Sequence, residues 1–200
     1  LLSTHYKYNK DKIILTEVSE MCLGLLLIDI QNDYFQGGKF ELYQSEQAAN
    51  QAKTMLQLFR EHDLSVFHIQ HINQSPNAAF FVPNTEGVNI YKSVCPQNGE
   101  IVIEKHTPDS FYQTTLKSEL DKKSISHLVV CGMMTHMCVD TTVRAAVNLG
   151  YKITLIEDAC ATKELEWNNV IVPAPIVQAT FMASLNNKFA KILSVDKWTF

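Results

Sequence analysis

Cys138 stands where a chain can make a thiol nucleophilic. The run Leu128-Val129-Val130-Cys131 is short, apolar and β-branched, as a buried strand is, and Gly132 after it allows a sharp turn. From about Met137 the period changes. Val139, Val143, Ala146, Val147 and Leu149 recur at helical spacing, and Gly150 is placed to stop the helix. Cys138 is therefore expected in the first turn of a helix that follows a buried strand. Unpaired N–H groups and the positive end of the helix dipole stabilise an anion there, which lowers a thiol's pKa. The chemistry implied is attack of a thiolate on an sp² carbon. Position alone does not separate a nucleophile from a small buried apolar cysteine, so the thiol needs partners.

Two charged residues fall at comparable places. Asp29 lies at the carboxyl end of the nearly all-apolar run Met21 to Ile30, and Lys105 follows the apolar segment Ile101 to Glu104. Open α/β sheets bind ligands outside the carboxyl ends of their strands, so residues at such ends are candidates for a shared site. His68 and His71 invite a metal reading. Residues three apart on a strand point to opposite faces, so the two cannot easily grip one ion, and His5, His62, His106, His127 and His136 show no ligand spacing. No metal is expected. The five cysteines (Cys22, Cys95, Cys131, Cys138, Cys160) are an odd count without C-x-x-C spacing. That argues against a thiol redox protein and for a reducing, cytoplasmic setting.

These residues require a scaffold, and the rest of the pattern supplies one. Short strands are expected at Met21 to Ile30, Val66 to Ile69, Ile101 to Glu104, Leu128 to Cys131, Lys152 to Ile156 and Ile192 to Val195. Helices are expected at Ser45 to His62 with Ser45 as N-cap, at Phe111 to Leu120 behind a Thr107-Pro108 start, and at Ile176 to Ala190 after Pro173 and Pro175. This alternation predicts an α/β protein, a three-layer α/β/α sandwich with a parallel, Rossmann-like sheet of about six strands. The chain has 200 residues, which suits one domain over residues 21–200, preceded by a polar N-terminal extension over residues 1–20. A net charge of −4 gives no electrostatic footprint for nucleic acid or an anionic membrane. No apolar run approaches the length of a membrane span. G-x-G-x-x-G, P-loop and G-x-S-x-G patterns are absent.

Three motifs together carry a family resemblance. Gly132, Thr135, Cys138, Val139 and Thr142 spell G-x-x-T-x-x-C-V-x-x-T; Asp29 to Tyr34 reads D-I-Q-N-D-Y; and Lys105 lies in I-E-K-H-T-P-D-S-F. In this order they resemble the motifs of the isochorismatase-like cysteine hydrolases, which include nicotinamidases and N-carbamoylsarcosine amidohydrolase. The resemblance runs from about Leu25 to the C-terminus. It implies that Cys138 is the nucleophile, Asp29 the acid/base and Lys105 its cationic partner, in hydrolysis of a C–N bond of a small amide, ureide or lactam through a thioester. The cysteine favours amide-type substrates over a vinyl ether. The resemblance also implies a cis Met133–Met134 peptide bond, with the Met134 and Cys138 N–H groups as oxyanion hole. Gln31, Tyr34, Phe35, Phe111, Thr135 and His136 are the candidate substrate-binding residues; Tyr34 stands where the family usually has Phe. Phe80 and Phe81 are open between a lid, an interface and ordinary loop packing. The Asp-x-His set of the metal-dependent nicotinamidases is missing, so neither metal nor other cofactor is expected. The expected partners are a small-molecule substrate and further copies of the chain, as a dimer or tetramer. Two alternatives remain: a catalytically idle family member serving as a binding or assembly module, and a nicotinamidase should a metal be found.

Overall fold

The apolar run after Cys22 forms the central strand, β1 (Leu23–Ile28), every residue of which is buried. The computed structural model describes residues 22–200, so the expected extension over residues 1–20 lies outside the described residues. After β1 come α1 (Ser45–Glu61), β2 (Ser65–His71), β3 (Ile101–Lys105), α2 (Leu116–Lys122), β4 (His127–Met133), α3 (Asp140–Asn148) and β5 (Lys152–Ala161). A small hairpin, β6 (Leu165–Trp167) and β7 (Val170–Val172), then leads to α4 (Ala174–Leu185) and β8 (Lys191–Leu193).

Six strands make one parallel sheet in the order β3-β2-β1-β4-β5-β8. Alternation along β1 explains why it is apolar throughout. Leu25 and Leu27 face a core containing Ala48, Ala49, Ala52, Met55, Leu56 and Phe59 of α1. Leu26 and Ile28 face the opposite core, with Leu116 and Leu120 of α2, Val143 and Ala146 of α3, and Met182 and Leu185 of α4. Both faces are covered, so both residue sets must be apolar. Each fully buried Leu, Met or Phe in these layers contributes about 1.5–3 kcal/mol relative to exposure. The result is the three-layer α/β/α architecture that the alternation predicts.

The strand order matters most for the site. From β1 the chain builds outward through β2 and β3, then returns to the other side of β1 for β4. The reversal opens a crevice at the carboxyl ends of β1 and β4, where such sheets bind ligands. Gly132 makes the approach of these two strands possible. Its φ is +144°, and a Cβ there would lie 2.2 Å from Ile28 O and 2.8 Å from Ile28 N. Gly132→Ala must push two paired backbones apart, and we expect a loss of about 2–3 kcal/mol in denaturant unfolding. An unchanged midpoint would refute the packing role.

Element ends differ from the sequence expectation where local signals compete. Ser45 is the first helical residue of α1 rather than its cap; Gln44 holds the cap position at φ 53°. Thr107-Pro108 starts no helix, and α2 begins only at Leu116. The intervening segment is held by local contacts, with the Thr107 hydroxyl donating to Asp109 O and the Phe111 N–H to Asp109 Oδ1. β5 continues past Ile156 to Ala161, with a register shift against β4. α4 starts at Ala174, directly after Pro173, and ends at Leu185 rather than Ala190. The β6–β7 hairpin was legible in principle. Asn168 and Asn169, at φ 48° and 64°, form the positive-φ two-residue turn that joins twisted strands.

Candidate active site

Four polar side chains meet at the mouth of that crevice. Asp29 follows the last residue of β1 and takes the left-handed backbone conformation (φ 51°), which Asp tolerates better than most residues. Its N–H donates to Ile69 O at 3.1 Å, and its side chain is fully buried. Lys105 ends β3 and is also fully buried, with Nζ 2.7 Å from Asp29 Oδ2. The same ammonium donates to His71 Nδ1 and to Thr107 O, each at 3.0 Å. His71 ends β2, the strand between the other two, and is the register partner of Lys105. Cys138 lies in a π-helical turn, Thr135–Val139, between β4 and α3. Its Sγ is 4.0 Å from His71 Nδ1, and donor atoms of Asp29, His71 and Cys138 all lie within 4.8 Å of one another. The Met133–Met134 peptide bond is cis. Met134 O accepts from the N–H groups of both Met137 and Val139, which ties down the turn.

The charges follow from this packing. Burial by itself would raise the Asp29 pKa, but the Lys105 charge beside it outweighs this and holds the carboxyl below its ordinary 3.8. Burial would lower Lys105, but Asp29 and Cys138 outweigh it and keep the pKa above the ordinary 10.5, so the lysine is an ammonium. Cys138 departs from the expectation. Burial and then the Asp29 charge push its thiol far above the ordinary value, and Lys105 opposes this only in part. The helix start does not prevail over desolvation and a neighbouring carboxylate. The resting pair is therefore a carboxylate beside a protonated thiol.

His71 is the residue that sequence reasoning missed. The argument that His68 and His71 face opposite ways is sound: His68 Nε2 bonds Glu100 Oε2 at 2.9 Å, beside the Arg60–Glu100 ion pair. The remaining signal was the position of His71 at the carboxyl end of a strand, which points into the site only once the sheet order is known. Among the expected substrate-binding residues, several are spent on structure. The Gln31 amide accepts from the His71 N–H at 2.7 Å and donates to His71 O at 2.9 Å and Val88 O at 2.7 Å. It braces β2, with both amide hydrogens and the amide oxygen engaged by the backbone. The Thr135 hydroxyl faces Gln178 Oε1 and Ala161 O. Phe35 stacks on Tyr91, and Phe111 packs on Tyr151. His136 Nδ1 bonds the Thr162 hydroxyl at 2.6 Å. Tyr34 stays at the site: it is buried, and its hydroxyl pKa is raised well above 10.0 by burial and then by its neighbours Cys138 and Asp29.

Phe81 resolves one open question. It is fully buried, its ring 4.6 Å from that of Tyr34 and 5.9 Å from that of His71. Asp33, the second acid of D-I-Q-N-D, fixes it by accepting the Phe81 N–H at 2.6 Å. Gln31 and Asp33 thus hold the segments that flank His71.

Asp29, His71 and Cys138 are the one group of three His, Cys or acidic side chains among the described residues spaced to hold a metal. The fit is poor. An ammonium already sits against two of the three donors, at 2.7 Å from Asp29 Oδ2 and 3.0 Å from His71 Nδ1. A metal there would have to displace a buried lysine cation. Cavities of about 550 and 600 Å³ lie elsewhere, the first between α1, β5 and α4, and neither is lined by Asp29, Lys105 or Cys138.

Comparison with known proteins bears on this arrangement. Residues 24–196 match the sequence model of the isochorismatase domain. The chain is 49% identical to the isochorismatase family protein YddQ of Bacillus subtilis, over 88% of this chain and 98% of that one. It is 26% identical to nicotinamidase 3 of Arabidopsis thaliana, over 87% and 85% of the two chains. A crystal structure of an assigned isochorismatase hydrolase from Oleispira antarctica superposes with a TM-score of 0.87 at 44% identity, covering 90% and 96%.

Proposed function

The chain belongs to the isochorismatase family and is a hydrolase, and from that premise we propose that it cleaves a C–N bond of a small amide, ureide or lactam through a thioester on Cys138. The observation that carries the reading is the buried Asp29–Lys105 pair with the Cys138 thiol beside it. A carboxylate and a cation are expensive to bury, and a purely structural role would be met more cheaply by apolar side chains.

Asp29 is the base. Because the resting thiol is protonated, proton transfer from Sγ to Asp29 accompanies attack on the carbonyl rather than preceding it. Lys105 offsets the negative charge that this builds in a dry site. The N–H groups of Met134 and Cys138 are the donors for the developing oxyanion. Asp29 then returns the proton to the departing nitrogen, and the C–N bond breaks. In the second half it takes a proton from water as the water attacks the thioester carbon; the C–S bond then breaks, the acid product leaves, and Asp29 returns the proton to Cys138 Sγ. Tyr34 and Phe81 supply an aromatic wall suited to a small planar substrate.

A metal-dependent nicotinamidase is the second reading, favoured by the nicotinamidase among the relatives and weakened by the lysine that occupies the donor cluster. One assay separates the readings. Purified protein, before and after prolonged chelation, is offered nicotinamide and other primary amides, carbamoyl compounds and lactams, and ammonia or amine release is measured. We expect release from at least one class, unchanged by chelation. No release from any class would sink the amide reading, and activity lost on chelation but restored by a divalent metal would move the reading to the metal-dependent enzyme.

A further inference from the structure

We propose that His71 is a positioning residue of this centre: as a neutral imidazole it holds the Lys105 ammonium against Asp29, and its protonation at Nδ1 releases that hold and silences Cys138. The proposal rests on the reading of Cys138 as nucleophile.

The hydrogen-bond inventory requires the neutral form. An ammonium has three donors and no acceptor. Lys105 spends all three, on Asp29 Oδ2 at 2.7 Å, His71 Nδ1 at 3.0 Å and Thr107 O at 3.0 Å. His71 can accept there only if Nδ1 carries no proton, so the ring proton sits on Nε2. Lys105 is thereby held in three directions and aimed at the Asp29 oxygen. His71 is itself clamped, its backbone by both ends of the Gln31 amide and its ring beside Phe81.

Of the Asp29, Lys105 and His71 side chains, His71 alone reaches solvent. Its side chain is 17% exposed, whereas those of Asp29 and Lys105 are 0% exposed. A proton added at Nδ1 would point an N–H at an ammonium 3.0 Å away, placing cation against cation. The imidazolium would compete with Lys105 for Asp29 Oδ2, which lies 3.8 Å from Nδ1. The titratable groups around this event are Asp29 beyond β1, Asp33 and Tyr34 in the loop that follows, Lys105 and His106 at the end of β3, and Cys138 before α3. His106 Nδ1 is engaged with Ile72 O. The same geometry makes His71 an unsuitable resting base for the thiol, because its lone pair is already taken by Lys105.

The test reads Cys138 directly and needs no substrate. The full chain and the variants His71→Asn and His71→Phe are alkylated with iodoacetamide across about pH 5–9, the range in which imidazole titrates, and the Cys138 peptide is followed by mass. Asn keeps an acceptor facing Lys105 but cannot titrate; Phe keeps the ring against Phe81 but removes the acceptor. We expect His71→Phe to react at least about tenfold more slowly at neutral pH, the scale of a lost hydrogen bond to a charged group, and His71→Asn to stay within about threefold of the parent. On the acid side the parent rate should fall more steeply with pH than that of His71→Asn, which lacks the extra proton. Should His71→Phe not fold, the comparison of acid limbs between parent and His71→Asn decides alone. Parent-like rate and profile in His71→Phe, or identical acid limbs in parent and His71→Asn, would overturn the proposal. If the parent itself is alkylated at other cysteines and never at Cys138, the nucleophile reading fails first and takes the proposal with it.

Discussion

Cys138→Ala is expected to abolish hydrolysis, with turnover down by about 10⁴-fold or more, while the protein stays folded. In the proposed mechanism, no other group at the centre can take over as nucleophile. Asp29 is held ionised by Lys105 and is a poor carbon nucleophile, and the His71 Nδ1 lone pair is committed to Lys105. The stability cost should be small, about 1 kcal/mol, because only one sulfur atom is lost from the edge of the core and the Asp29–Lys105 pair remains intact. Steady-state turnover and the unfolding midpoint check the two halves separately. A variant that retains most of its turnover would end the covalent mechanism. A variant that unfolds would instead make Cys138 a packing residue.

Lys105→Ala should be the most damaging single change to the protein as a whole. It leaves a fully buried carboxylate without its cation, which costs about 3–5 kcal/mol when one partner of a buried pair is removed. The carboxylate can limit that cost by taking up a proton, since the Lys105 ammonium is what chiefly holds its pKa down. A protonated Asp29 is no longer a base, so turnover should also fall by about 10³-fold, within the range ascribed to acid–base catalysis.

The signs fix the pH window. The folded pKa of Asp29 is below 3.8, so its contribution is present above 3.8 and lost as pH falls through the folded value. That of Lys105 is above 10.5, so its contribution is present below 10.5 and lost as pH rises through the folded value. The parent should therefore be more stable than Lys105→Ala throughout the interval between these limits, with the gap closing beyond either end. The double variant Asp29→Asn with Lys105→Met removes both charges. It should recover most of the stability and none of the turnover. If it is as unstable as Lys105→Ala, the buried ion pair is not what the lysine supports.

What the sequence determined by itself is the machinery that depends on local pattern. Six strand-length segments read directly as strands, and the central one, β1, is apolar along its whole length because both of its faces are covered. Asp29, Lys105 and Cys138 were legible because each closes or follows such a segment, and in a parallel sheet all carboxyl ends share one rim. Gly132 and Gly150 announced turns that other residues fill poorly. The tertiary structure decided what depends on neighbours distant in the chain. His71 enters the centre because β2 lies between β1 and β3, an order that no local period encodes. Gln31 and Thr135 belong to the right motifs, but their hydrogen-bonding groups are consumed by His71, Val88, Gln178 and Ala161, partners 26 to 57 residues away. The charge state of Cys138 went against local reasoning for the same cause. A helix start favours a thiolate, but burial and a carboxylate supplied from β1 act on the same sulfur and outweigh it. Backbone pattern is a property of a few consecutive residues; the polarity and proton affinity of a site are properties of everything packed within a few ångströms of it.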